Sequence, residues 1–310
     1  MVNIGLIGAG RWGARYISTI KNLEGVDLIC VYSRNPLTSQ LVLPNCRIFN
    51  NWEDLLCLPD LHGVIIATPP DTHFEIAMYA LKKGIPFLVE KPFTSNLADS
   101  VKLFKQIHAA SLPTLTGHVH LYSPAYKSFK NKVLSLGSVK SIKAQAGNVA
   151  QIRNNVPVLW DWGPHDVAMC IDLIGELPSR VSAIKTKNLI YDNAESIEIE
   201  LFFRDEIRVS INLSNALPRK TRYMCVYSKK ALVIYDDQAI NKAYVLDGPG
   251  CEMLSSDQTT PLGNMIIEFM SLLKGEQVIN EKDLNLSLSV IRILDLLDES
   301  IAGNGSMQFT

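Results

Sequence analysis

The segment Gly8-Ala9-Gly10-Arg11-Trp12-Gly13 limits what this chain can fold into more than any other. It follows a continuous apolar run, Val2 to Ile7, of the kind expected for a strand buried on both faces. Beyond it, Trp12, Tyr16, Ile20 and Leu23 recur at helical spacing until Gly25 punctuates the pattern. A glycine turn between a strand and a helix is the setting in which this spacing binds a dinucleotide. Gly8 permits the tight turn, Gly10 lets a pyrophosphate approach the backbone, and Gly13 lets helix and strand pack closely. The helix N-terminus, with Arg11 and Trp12 in its first turn, supplies N–H groups and positive dipole to the phosphates.

Strand–helix alternation continues from there. Val26–Tyr32, Val64–Ala67, Ile85–Glu90 and Leu112–Val119 read as strands, with Thr72–Lys82 and Asn96–Ala110 as helices. This pattern predicts an α/β Rossmann domain with a doubly wound parallel sheet. After Leu121 the texture changes. Ser138–Gln145, Val181–Lys187, Ser196–Phe203, Glu206–Leu213, Arg222–Tyr227 and Ala231–Tyr235 read as strands, several alternating polar with apolar residues. Helical patterns over Leu262–Leu273 and Leu284–Ile301 close the chain. The second part is expected to be an α+β domain with a large, open-faced, mainly antiparallel sheet. The expected division is 1–121 for dinucleotide binding and 122–310 for substrate binding and oligomerisation. Pairing through the open sheet, as a homodimer or homotetramer, would cover apolar surface on its free face.

Composition narrows the partners. The formal net charge is -1 and no basic stripe is present, so neither nucleic acid nor an anionic membrane is an expected partner. No apolar run reaches bilayer-spanning length, and the N-terminus lacks a signal-peptide layout. Six cysteines without a Cys-x-x-Cys pair suit reduced thiols and a cytoplasmic protein. His118 and His120, two apart on an expected strand, would share a face, but a third ligand is lacking and no metal is expected. No Gly-x-Ser-x-Gly nucleophile elbow occurs.

Five further segments carry chemistry. At the tip of the second strand, Ser33 and Arg34 stand where an acidic residue would hold an NAD ribose, and they favour NADP over NAD because a 2′-phosphate suits a hydroxyl and a guanidinium. Ala67-Thr68-Pro69-Pro70 fixes an extended turn at the carboxyl edge of the sheet, and His73 follows where it can reach a cofactor. Glu90-Lys91-Pro92 ends a buried strand where the nicotinamide should sit. Partial burial there would lower the lysine's proton affinity and fit it to orient or protonate a hydroxyl. In Trp160-Asp161-Trp162-Gly163-Pro164-His165-Asp166, Pro164 suits a helix's first turn and Asp161 lies near the N-cap. Helical spacing puts Asp161 and His165 on one face, and a carboxylate beside an imidazole raises its basicity. Lastly, Asn148, Arg153, Asn154 and Asn155 form a polar stretch suited to a substrate lip, with Arg153 matching an anionic substrate group.

The glycine turn, Ala67-Thr68-Pro69-Pro70, Glu90-Lys91-Pro92, and Thr116-Gly117-His118 leading into Ser123-Pro124-Ala125-Tyr126 occur in an order that resembles the glucose–fructose oxidoreductase/inositol dehydrogenase (Gfo/Idh/MocA) family. The resemblance spans the N-terminal domain and its exit. It implies that Lys91 reaches the reacting carbon's oxygen and that Glu90 and Lys91 border the nicotinamide. Asp161 and His165 resemble the family's Asp-x-x-x-His element, Trp162 resembles residues lining the nicotinamide pocket, and His118 is a pocket residue by the same likeness. The implied function is an NAD(P)-dependent oxidoreductase moving a hydride between nicotinamide and a secondary alcohol or ketone carbon of a sugar, polyol or nucleotide sugar. Trp-Asp-Trp-Gly-Pro-His looks similar to members acting on nucleotide sugars. A dinucleotide-binding regulator without turnover and an NAD-assisted glycosidase are the competing readings, and the company of Lys91, Asp161 and His165 argues against the first.

Overall fold

The computed structural model describes residues 1–137, 139–148, 156–186, 194–276 and 280–310. The described chain divides into two compact units, Met1–Val119 with Thr260–Ile291, and His120–Thr259 with Arg292–Thr310.

In the first unit, β1 (Val2–Ile7), β2 (Val26–Tyr32), β3 (Arg47–Phe49), β4 (Gly63–Ile66), β5 (Phe87–Val89) and β6 (Thr114–Thr116) form one sheet in the order β3-β2-β1-β4-β5-β6. Every pairing is parallel. The apolar run of β1 is buried almost throughout, as a strand covered on both faces requires. The connecting helices are α1 (Arg11–Ile20), the short α2 (Thr38–Leu41) and α3 (Trp52–Leu55), α4 (His73–Lys82) and α5 (Leu97–Ala110). Asn96 starts α5 by accepting the Asp99 amide at 2.8 Å. The C-terminal helices divide between the units: Pro261–Leu273 and Glu281–Ala302 as far as Ile291 lie in the first, and the chain from Arg292 lies in the second. Gly63 carries the reason. A Cβ there would meet the side chains of Leu273 and Phe269 at 2.8–3.0 Å, so the missing side chain is what admits that helix.

In the second unit, α6 (Pro124–Leu136), β7 (Val139–Gly147) and α7 (Val158–Ile174) are followed by β8 (Arg180–Thr186), β9 (Ser196–Phe202), β10 (Arg208–Ser214), β11 (Thr221–Ser228), β12 (Leu232–Asp236), β13 (Ala243–Asp247), β14 (Gly250–Met253) and β15 (Gln308–Phe309). The sheet order is β14-β13-β12-β11-β7-β10-β9-β8-β15. It is antiparallel except where β10 pairs with β7 in parallel, because α7 and the β8–β9–β10 meander return the chain in the same direction. Alternation holds along β9 and β10, where Ile197, Ile199, Leu201, Val209, Ile211 and Leu213 are buried. The other face carries Glu200 beside Arg208 at 2.6 Å and Lys143 over the Tyr227 ring.

Two local expectations fail. The strand expected over Leu112–Val119 ends at Thr116, and His120 lies in a 3-10 turn, Val119–Tyr122, so His118 and His120 do not share a strand face. Pro164 is not in a first turn, because α7 begins six residues earlier with Pro157 as its N-cap. The Glu195 carboxylate accepts the Val158 amide at 3.0 Å and supplies the cap that Pro157 cannot. Among the described residues no helix is long and apolar enough to cross a membrane.

Candidate active site

Because the strands of the first sheet run in parallel, the residues that follow them gather at one edge. Gly8 follows β1, Ser33 follows β2, Thr68 and Pro69 follow β4, Glu90 and Lys91 follow β5, and His118 follows β6. Gly8 adopts φ +103°, and a Cβ there would stand 2.7 Å from the Ala67 carbonyl oxygen. A Cβ on Gly13 would fall 1.9 Å from the Gly8 carbonyl oxygen, so only glycine lets α1 approach the turn. Gly10 differs, since nothing stands within 4 Å of where its Cβ would be. α1 has no side-chain cap and no acid in its first turn. Open space against an uncapped ten-residue helix start fits a dinucleotide pyrophosphate. Arg11 is exposed there, and the Trp12 ring lies under the Arg15 guanidinium.

Ser33 is buried. Its Oγ accepts from the Thr38 hydroxyl at 2.8 Å and the Asn35 amide at 3.1 Å, which leaves its own proton to donate. Arg34 beside it is exposed. Thr68 and Pro69 stand in the turn before α4, where the Thr72 hydroxyl donates to Thr68 Oγ1 at 2.6 Å.

Glu90 points inward. The Trp12 indole N–H and, at 2.5 Å, the Tyr16 hydroxyl both donate to Oε1, and the Lys91 amide donates to Oε2 at 3.2 Å. A Cβ on Gly117 would sit 2.8 Å from this carboxyl, so the strand after it needs glycine to pass. Burial raises the Glu90 proton affinity against the pull of these donors. The side chain thereby ties the start of α1 to the turn that presents Lys91. Tyr16 was not foreseen in that role, although it falls four residues after Trp12 on the same helix face.

His73 is also inside. Its Nδ1 lies 2.9 Å from the Pro92 carbonyl oxygen and its Nε2 3.0 Å from that of Thr68, so both ring nitrogens face backbone carbonyls. His118 is buried with neither ring nitrogen hydrogen-bonded, and burial together with the Lys91 charge pushes it down to about 4. It is a neutral imidazole at ordinary pH.

The second unit holds the other residues. Asp161 and His165 lie four apart on α7, both half-buried, with Trp162 buried between them in sequence. The His165 ring meets that of His120 edge-to-face at 4.8 Å between centroids, a neighbour that nothing in the sequence pattern indicated. α7 is held from below. Asp166 pairs with Arg222 of β11 at 2.7 Å, with both side chains at most 3% exposed, and that guanidinium lies 5.5 Å from the centre of the Trp162 ring. Farther along, Asp172 receives Lys130 at 2.7 Å and the Tyr126 hydroxyl at 3.1 Å. Asn148 directly follows β7 and is half-buried, while Arg153, Asn154 and Asn155 lie outside the described residues. Among the described residues no group of three or more His, Cys, Asp and Glu side chains is arranged to hold a metal ion.

Residues 2–118 match the GFO_IDH_MocA family model, an oxidoreductase family with an NAD-binding Rossmann fold. A crystal structure of a protein from Magnetospirillum magnetotacticum MS-1, classed as an oxidoreductase, is 33% identical with a TM-score of 0.88, covering 94% of this chain and 98% of that one. The chain belongs to the Gfo/Idh/MocA family. Two curated relatives are similar over shorter stretches. The 4-carboxy-2-hydroxymuconate-6-semialdehyde dehydrogenase of Sphingobium sp. (strain NBRC 103272 / SYK-6) is 27% identical over 43% of this chain and 44% of its own. The UDP-N-acetylglucosamine 3-dehydrogenase of Acidithiobacillus ferrooxidans is 27% identical over 58% of this chain and 56% of its own. The chain thus spans about half the length of these curated relatives. As a Gfo/Idh/MocA protein, it has the parallel nucleotide-binding sheet followed by the large, mostly antiparallel sheet expected from its sequence.

Proposed function

We propose that this protein is an NAD(P)-dependent dehydrogenase or reductase acting on a secondary alcohol or ketone carbon of a sugar, polyol or nucleotide sugar. The observation that carries the reading is Lys91, presented by a turn tied to the dinucleotide helix through buried Glu90, in a chain whose α7 carries Asp161 and His165 one turn apart. Gly8, Gly10, Arg11, Trp12 and Gly13 would hold the pyrophosphate, with Thr68, Pro69, Glu90, Lys91 and Trp162 bordering the nicotinamide. When bound, that ring supplies the exchange of a hydride with the substrate carbon.

The chain's own residues manage the oxygen and its proton. In alcohol oxidation His165 takes the hydroxyl proton, with Asp161 stabilising the imidazolium that results. Lys91 hydrogen-bonds the same oxygen and stabilises its developing negative charge; in the reverse direction the roles reverse. His118, Asn148 and Arg153 would contact the remaining substrate groups. The uncharged state of His118 supports a hydrogen-bonding role there, without a second cation beside Lys91.

Four finer readings follow. NADP is preferred over NAD, supported by the unspent Ser33 proton next to the exposed Arg34 and by the lack of an acid at either position. A nucleotide sugar is favoured among substrates, supported by the likeness to a UDP-N-acetylglucosamine dehydrogenase. The free cysteines support a cytoplasmic location, and the outer face of the second sheet, with Tyr223, Tyr227 and Lys143, is where a second copy would pair.

Nicotinamide absorbance followed with NAD and NADP against a panel of polyols, sugars and nucleotide sugars measures the activity. Turnover with at least one sugar-class substrate, abolished in Lys91→Met, is the expected result. Tight dinucleotide binding with no turnover across the panel would favour a regulator. Release of an aglycone without net cofactor reduction would favour the glycosidase.

A further inference from the structure

His73 joins two turns that are far apart in sequence but adjacent at the sheet edge. It is the first residue of α4 and fully buried. One ring nitrogen faces the carbonyl of Thr68, in the turn after β4; the other faces the carbonyl of Pro92, the residue directly after Lys91. Both partners are acceptors, so the ring acts here only as a donor. A neutral imidazole has one N–H to give, and burial favours that neutral state even though the two carbonyls pull the other way. The ring therefore stands lodged between both turns, 2.9 Å from one carbonyl and 3.0 Å from the other, with its N–H bonding one and its other nitrogen packed against the second.

We propose that His73 is a positioning residue that clasps the Lys91 turn to the Thr68 turn and so fixes where the Lys91 ammonium stands. This rests on the reading of Lys91 as the group on the reacting oxygen. Reaction geometry is sensitive to such placement, since about 1 Å of misalignment costs on the order of 10²-fold in rate.

Two amide variants separate the halves of the clasp. His73→Asn places an N–H near the position of Nδ1 and keeps the link to Pro92; His73→Gln places one near Nε2 and keeps the link to Thr68. With NADPH and the substrate found active, His73→Gln should lose on the order of 10²-fold in kcat, with dinucleotide affinity changed by less than about threefold. His73→Asn should retain most of kcat. Amide hydrogen exchange should quicken at Lys91, Phe93 and Thr94 in the Gln variant alone, and in the turn after β4 in the Asn variant alone. Equal kcat losses in both variants, or dinucleotide affinity falling more than kcat, would overturn the proposal. The exchange pattern stands apart from the function: turnover that survives Lys91→Met refutes the role of Lys91, whereas uniform exchange in both variants refutes the clasp itself.

Discussion

The two units bury polar groups in opposite ways. In the first, Glu90, His73, His118 and Asp283 are all driven toward their uncharged forms by burial, and the hydrogen-bond partners of Glu90, His73 and Asp283 are neutral. Asp283, pushed up to about 7, accepts the Thr116 amide at 2.8 Å; Glu90 is held by an indole, a phenol and a backbone N–H. In the second unit opposite charges meet as matched pairs, Asp166 with Arg222 fully buried and Asp172 with Lys130 half-buried. The difference suits what each unit presents. Turns at a sheet edge are fixed by the strands and need only neutral ties. A helix standing on a sheet can slide or rotate, and an ion pair under its midpoint holds it against both.

The contrast predicts where charge removal hurts most. Arg222→Met should cost about 3–5 kcal/mol, read by denaturant unfolding, because Asp166 would remain buried without its counter-charge. An effect under about 1 kcal/mol would mean that the pair does not anchor α7. Tyr16→Phe should cost less, about 1.5–3 kcal/mol, since it removes one donor to the buried Glu90 and leaves the other two. It should also weaken dinucleotide binding, which titration with NADPH can read. The smallest effect belongs to His118. Its proton affinity is depressed in the fold, so the stability it contributes is present above its ordinary value of 6.5 and lost as pH falls toward about 4. His118→Phe should therefore flatten the acid limb of the stability curve, by about 1 kcal/mol at about pH 5.5, and change little above neutrality.

The same comparison explains what could be read without coordinates. The first unit's site was legible because each part is a local signal: a glycine spacing, a Pro-Pro turn, a lysine at a strand end, all gathered by the parallel order that alternation implies. Its failures were also local. Leu112–Val119 reads as a strand by apolarity, yet Gly117 must pass the Glu90 carboxyl, and the chain turns after Thr116. In the second unit the Asp161–His165 spacing was visible, but what holds it was not. Arg222 lies 56 residues from Asp166, and His120 meets His165 through tertiary packing alone. The start of α7 was misjudged for a similar reason, because its cap is Glu195, 37 residues away. The helices after Thr260 carry amphipathic patterns that say how much they bury but not against which sheet.

The proposed function requires the Lys91 ammonium and the His165 imidazole to act on one substrate oxygen. Turnover of Lys91→Met, His165→Ala and the double variant with the same substrate tests it directly. Groups acting as a unit lose their effect together, so the double variant should be no slower than the slower single one, each being reduced by about 10²-fold or more. Losses that multiply in the double variant, or a single variant that retains full turnover, would contradict the account.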